Sequence, residues 1–400
     1  MANRLPSIAG LQSGVDGVFE RIIEFRKDLH RHPELSWQEF RTTQKIKEML
    51  QEFGVAKISA PLETGLIADF VFDPAAPFIL LRADIDALPL RDEKKAPYRS
   101  QNPGVCHACA HDAHTAVMLG TALVLQKQKI SLPFNLRFVF QPAEEPIPSG
   151  APKMIEAGAL ENVCYALGLH MEPRLPLGSI ALTPGWVNMQ SIRLDLILSG
   201  PGGHSARPHE SADLIWIASR IVQDGYQMVY RGINLLDSAV ILTFTEIEAR
   251  RGYNVIPNKL TLTGTLRLSD PQKKDIFLNR FKKRLKQLEN ETGCKILFEY
   301  REGAPAIYNE PQFIKRLQQN LQEDFWLPAQ LVTDFRTPGG DDFSYYCQEI
   351  AGAMVRFGVR TVNMTSSLHE GSFDVHPEAI RLAIAFFLHE ITKLEVESGK

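Results

Sequence analysis

NLRFVFQPAEEPIPSGAPKMIEAGALENVCYALGLH, residues 135–170, is the stretch whose reading decides the fold. The apolar run from Asn135 to Phe140 reads as a buried strand, Pro152 to Ala157 as a short helix, and Tyr165 to His170 as a second strand. Strand, helix and strand at this spacing predict an α/β sheet with parallel members. Ligands of such sheets collect beyond the carboxyl ends of the strands. Glu144, Glu145 and His170 all fall at or just past such ends. Upstream, Phe78 to Asp84 is a continuous apolar run and predicts a fully buried strand, which brings Asp84 and Asp86 to the same rim. Leu66 to Phe72 alternates and predicts an outer antiparallel strand. Helical spacing runs from Val15 to Phe53, interrupted at His32-Pro33, and again from His111 to Leu125.

The pattern changes near Gly185-Trp186-Val187. Alternating strands over Ser191–Leu198, Val240–Thr245, Leu260–Leu268 and Lys295–Tyr300, with helices over Ala212–Met228 and Asp270–Glu291, predict a compact α+β unit. The expected architecture is α/β. A mixed-sheet domain with helices on both faces comprises residues 1–186 and 302–400, and an α+β domain of residues 187–301 is inserted into it.

Bulk properties narrow the function. The 400 residues favour two domains, and 44% hydrophobic with 23% charged residues is ordinary for a soluble globular chain. A net charge of −3 with mixed signs offers no nucleic-acid or anionic-membrane surface. The opening segment Met1–Ser7 lacks the apolar stretch of a signal peptide, so the cytoplasm is expected. Five cysteines, an odd number, do not suit a disulfide framework.

Thiolate, imidazole and carboxylate, the ligands of zinc-like ions, are densest in Cys106-His107-Ala108-Cys109-Ala110-His111-Asp112-Ala113-His114. Cys106 and Cys109 alone would read as a redox motif or half a zinc ribbon. The ribbon needs a second pair, and the redox reading leaves the histidines unexplained. Cys109 and His111 are therefore the expected metal ligands, with Cys106, His107 and His114 packing nearby. Adjacent glutamates are usually solvated, but Glu144 and Glu145 follow a buried strand and are bracketed by Pro142 and Pro146. In an extended segment they would point opposite ways. One would then hold metal while the other faced water as a general base. A lone strand-end His170 is more often a core residue, yet two other ligand groups at equivalent ends favour ligation. His369 sits in a loop-like stretch. Asp84 and Asp86 either orient ligating histidines or cap the turn at Leu88-Pro89. The glycine-rich Gly200–His209 loop is not a phosphate loop. It is either a turn with surface histidines or the place where His204 donates to an oxyanion.

Together these segments resemble the M20 metallopeptidase family, in its amidohydrolase branch of N-acyl-amino-acid and hippurate-type hydrolases. The resemblance rests on Leu29–Ser36, Arg82–Pro89, His107–Asp112, Gln141–Glu145, Gly168–His170, Gly202–His209, Asn254–Pro257, Asp342–Tyr346 and Leu368-His369, in family order. It implies a two-metal site with Cys109, His111, Glu145, His170 and His369 as ligands, Glu144 as base and His204 polarising the scissile carbonyl. It also implies an inserted lid that can form a homodimer. The two ions would be zinc, manganese, cobalt or nickel. The substrate would be a small N-acyl amino acid, with Asn254, Arg207 and Arg267 as candidates for its carboxylate. The chain departs from the family pattern at Cys106 (usually methionine), Ala110 (usually glycine), Asp341 (usually glutamate), the residues after His369, and Glu248–Tyr253, which includes Arg250 and Arg251. Rival readings are a dipeptidase or aminoacylase of the same family, and a non-catalytic metal or thiol sensor using Cys106 and Cys109.

Overall fold

The computed structural model describes residues 6–234, 238–249 and 252–395, so Met1–Leu5, Arg250 and Arg251 lie outside the described residues. The helical stretch at the start is two helices. Ser7 caps α1 (Ile8–Arg31) by accepting from Gly10 N–H, and α2 spans Phe40–Glu52. The break falls where Pro33 disfavours helix in His32.

Contacts divide the chain into two compact units, one comprising the described residues of Met1–Gly185, Ile307–Phe335 and Asp342–Lys400, the other Trp186–Ala306 and Arg336–Asp341. The first unit holds a mixed sheet built on β1 (Lys57–Ser59), β2 (Leu66–Phe70), β3 (Phe78–Asp84), β4 (Asn135–Gln141), β5 (Val163–Pro176) and β6 (Ser179–Ala181). The sheet order is β1-β2-β4-β3-β5, then the strand Ala351–Arg360, then β6, then Gln330–Val332. β3, β4, β5 and Ala351–Arg360 run parallel, whereas β2 is antiparallel to β4. Every residue of β3 and β4 is buried, as a sheet covered on both faces requires. The helix α3 (His111–Gln128) is buried almost all round, and its core joins that of α1 and the helix Pro377–Lys393.

Two strand expectations change. β2 is buried at all five positions and lies second from the edge, because β1 pairs outside it. β5 does not end at His170 but continues to Pro176, because Ala351–Arg360 pairs with it as far as Arg360↔Pro176. His170 is still at the rim. β3 pairs Arg82 with Gly168, and continuing that register sets Asp84 beside His170. The helix after β4 starts at Gly150, where a Cβ would come 1.8 Å from the Pro142 carbonyl oxygen. Only glycine permits that approach.

The second unit has its own core. Its antiparallel sheet runs Val240–Glu248, Lys259–Leu268, Gln190–Ser199, Lys295–Glu302. Ile192, Leu194, Leu196 and Leu198 alternate inward and join apolar residues of the helices Leu214–Gly232 and Pro271–Thr292. Asp213 and Asp270 cap those helices. Thr337 N–H bonds to Val187 O (3.1 Å), and Arg267 Nη1 to Pro338 O (2.8 Å), which attaches the Arg336–Asp341 segment.

Candidate metal centre

Ala110 precedes α3 in the left-handed conformation, φ 71° and ψ 15°. That turn, where the family pattern has glycine, reverses the chain between Cys109 and His111. Both then put a donor atom within 4.8 Å of each other and of a Glu145 oxygen. Cys109 Sγ lies 3.6 Å from His170 Nε2. Glu145 Oε1 lies 4.0 Å from His111 Nε2 and 3.4 Å from His369 Nε2. All five expected ligands thus meet in one neighbourhood of the first unit. Metal bonds of about 2.0–2.3 Å in a tetrahedron set ligands about 3.3–3.8 Å apart, so this donor set suits a zinc-like ion. The fit has a second sign: Glu145 Oε1 is buried and accepts no hydrogen bond from the described residues.

His111 and His170 are each aimed by their other nitrogen. His111 Nδ1 lies 2.9 Å from Asp86 O and 3.1 Å from Asp86 Oδ1, leaving Nε2 toward Glu145. Asp86 is itself held by Ser36 Oγ (2.7 Å) and Glu145 N–H (3.2 Å). His170 Nδ1 donates to Met171 O at 2.7 Å, leaving Nε2 toward Cys109. Asp86 therefore orients an expected ligand, whereas Asp84 meets His114 instead. His114 is different. Its Nδ1 meets Asp84 Oδ1 at 2.7 Å, and its Nε2 accepts from Met171 N–H at 2.9 Å. With both nitrogens engaged it has no lone pair for a metal, in keeping with its expected packing role.

Electrostatics agree with a site built for cations. Burial and Glu145 push the Cys109 thiol pKa well above its ordinary value. Burial alone would lower the pKa of His111, but Asp84, Asp86 and Cys109 outweigh it and hold it well above normal. Both groups must shed protons to bind metal. His107 is buried, and neither ring nitrogen finds a partner among the described residues. Burial takes its pKa down to about 3, so it is neutral.

Glu144 and Glu145 diverge, though not by strand alternation. Ala143 is left-handed (φ 52°), and the chain after it bends instead of extending. Glu145 faces the histidines, while Glu144 Oε1 accepts from Asp342 N–H at 3.3 Å. His369 is also left-handed (φ 62°), and its N–H bonds to Ala108 O at 2.8 Å, which ties its loop to the Cys109 segment.

His204, Arg207, Asn254 and Arg267 lie in the second unit. His204 is exposed, and its Nδ1 accepts from Ala206 N–H at 3.1 Å. Ser205 N–H bonds to Asn254 O at 3.0 Å, so those two loops lie together. Arg207 is exposed, with Glu210 at 3.9 Å, and Arg267 Nη1 is taken by Pro338 O.

Sequence reasoning missed another donor cluster. His30, Asp92 and Cys106 also bring ligand atoms within 4.8 Å of one another. Here Lys94 Nζ already sits 3.2 Å from Asp92 Oδ1 and 3.6 Å from Cys106 Sγ. His30 lies in the quoted Leu29–Ser36 segment, but nothing local links it to Asp92.

Known proteins share this arrangement of sequence and fold. A family model described as Peptidase family M20/M25/M40 matches residues 80–393. The N-acetylcysteine deacetylase of Bacillus subtilis is 35% identical over 381 residues, covering 95% of this chain and 98% of that protein. The N-acyl-L-amino acid amidohydrolase of Geobacillus stearothermophilus is 34% identical over 295 residues, 74% of this chain and 80% of that protein. Among solved structures, a dinuclear metal-binding peptidase of the M20 family from Bacillus subtilis superposes with a TM-score of 0.82 at 31% identity, covering 94% of this chain and 98% of that one. A match over most of the chain, joined to relatives of nearly the same length, places this protein in the peptidase family M20/M25/M40 as a hydrolase acting on amide bonds.

Proposed function

We propose that this protein removes the acyl group from small N-acyl amino acids, using Cys109, His111, Glu145, His170 and His369 to hold two divalent ions and Glu144 as general base. The observation that carries the reading is the convergence of those five donors around a buried Glu145 oxygen that accepts no hydrogen bond from the described residues, with Glu144 diverging beside it. Deacetylase and amidohydrolase activities in the relatives' names support the substrate class. When bound, the ions supply the Lewis acidity that lets water lose a proton near neutral pH. Glu144 takes that proton and returns it to the leaving amine nitrogen. His204 keeps its own proton on Nε2, since Nδ1 accepts from Ala206 N–H. That leaves a donor for the acyl oxygen as charge develops there. Asn254 and Arg207, and less directly Arg267, are the groups for the product carboxylate. The Cys109 thiolate favours zinc, cobalt or nickel over manganese. The second unit serves as lid and as the surface of a homodimer, and the chain works in the cytoplasm.

The test is Glu144→Gln in metal-loaded protein assayed on N-acetyl amino acids. Turnover should fall about 10²–10⁴-fold while metal content holds. Near-normal turnover would remove Glu144 as base. A panel setting N-acetyl amino acids against free-amine dipeptides separates this activity from that of a family dipeptidase, for which the dipeptides would be hydrolysed faster.

A further inference from the structure

We infer that Arg82 is the positioning residue for Glu144, acting through the backbone of Asp342. The inference rests on the reading of Glu144 as base. Arg82 lies within β3 and is fully buried. Its guanidinium serves three different acceptors with three different nitrogens: Nε donates to Gln141 Oε1 (3.0 Å), Nη1 to Asp84 Oδ2 (2.6 Å) and Nη2 to Asp342 Oδ1. The Asp342 carboxylate is gripped from further sides. Gln141 Nε2 lies 2.9 and 2.8 Å from its two oxygens, and Ala151 N–H donates to Oδ2 at 3.0 Å. A carboxylate clamped in this way fixes its own peptide unit. The N–H of that unit is the donor to Glu144 Oε1.

Glu144 needs such a guide. It is only half-buried and follows the left-handed Ala143 in a bend, so regular structure does not set its direction. A backbone donor on one carboxylate oxygen selects the side-chain rotamer. The other arm of Arg82 reaches the ligand side of the site. Asp84 holds His114, and His114 Nε2 accepts from the N–H of Met171, the residue after His170. One guanidinium therefore ties the base to the strand carrying a metal ligand. Lysine, with a single ammonium on a flexible stem, cannot serve three acceptors in these fixed directions.

The experiment uses the full chain, metal-loaded, with N-acetyl-L-methionine as substrate and turnover expressed per metal-loaded molecule. In Arg82→Lys, kcat should fall about 10–100-fold, the scale of an ångström-sized misplacement. KM should stay within about 3-fold, metal content should hold, and the solvent deuterium isotope effect on kcat should rise as proton transfer becomes limiting. Gln141→Met should lower kcat by about 3–10-fold in the same pattern, and it carries the test if Arg82→Lys does not fold. In a Glu144→Gln background, Arg82→Lys should add no further loss of kcat. A purely structural role would reduce the folded or metal-loaded fraction and leave kcat and isotope effect of the remaining molecules unchanged, and that result overturns the inference. Full additivity of the two substitutions would also overturn it. An inactive Glu144→Gln with an unaltered Arg82→Lys sinks only this inference, whereas an active Glu144→Gln sinks the general-base reading beneath it.

Discussion

Two donor clusters flank the start of α3, and they contain nearly the same chemistry. One holds Cys109, His111 and Glu145, the other Cys106, His30 and Asp92. In each, an aspartate meets the histidine Nδ1, Asp86 for His111 and Asp112 for His30 at 2.7 Å. The difference is charge. Around His30, Arg26 lies 2.7 Å from both Asp112 and Asp374, and Lys94 lies beside Asp92. Lys94 also donates to Phe373 O at 2.8 Å, so the ammonium is fixed in place. Burial alone would lower the pKa of His30, but Asp112 and Asp92 raise it to about 10, which makes a third cation for three carboxylates. Around Glu145 the neighbouring basic groups are imidazoles, His369 at 3.4 Å and His111 at 4.0 Å, and among the described residues no lysine or arginine pairs with it. Donor types within reach do not define a metal site. What separates these two clusters is a fixed lysine or arginine among the carboxylates.

The largest contrast should come from the two cysteines. Cys109→Ala should lower turnover at limiting metal by more than about 100-fold, as loss of a ligand with its charge implies, whereas Cys106→Ala should stay within about 2-fold. Metal analysis of both proteins checks this, and equal metal loss in the two would break the comparison. The orienting aspartates should separate next. Asp86→Asn should weaken metal binding about 10–100-fold, read by competition with a chromophoric chelator. Asp112→Asn should leave affinity alone but destabilise folding by about 3–5 kcal/mol, because Arg26 and His30 lose a buried partner. Denaturant melts would show it.

Smaller effects follow with pH. The folded pKa of His30 lies above its ordinary 6.5, so its contribution to stability is complete below about pH 6.5 and is lost as pH rises toward about 10. In chelator-treated protein, stability should decline over that window, and His30→Gln should flatten the decline. Metal uptake at the other cluster should run the opposite way, strengthening with pH as Cys109 and His111 release protons. The smallest change is Ala110→Gly. Relief of the left-handed alanine should add about 1 kcal/mol of stability with turnover preserved, as thermal melts and assays would report.

What the sequence reveals depends on how local the cause is. Largely apolar runs identify β3 and β4, and helical spacing identifies α3. The proximity of Cys109 and His111 is legible from their spacing, whereas the rim position of Asp84 and Asp86 leaves orienting a histidine and capping a turn equally open. The continuation of β5 beyond His170 is not legible, since it depends on pairing with a strand near residue 356. The direction of Glu144 is not legible either. Periodicity suggests an extended chain, whereas Ala143 takes a left-handed turn and Asp342, far along the sequence, supplies the donor. The Lys94 ammonium that separates the two clusters sits in a run of charges resembling any solvated loop.

The place of His369 has a consequence for biosynthesis. Its loop is tied to the Cys109 segment through Ala108 O, yet it leaves the ribosome roughly 200 residues after His170, about 10–40 s later at ordinary translation rates of about 5–20 residues per second. For that interval the nascent chain carries the other donors without the last one. On the proposed ligand set, metallation cannot be complete until the His369 segment has been synthesised and its loop has docked on Ala108.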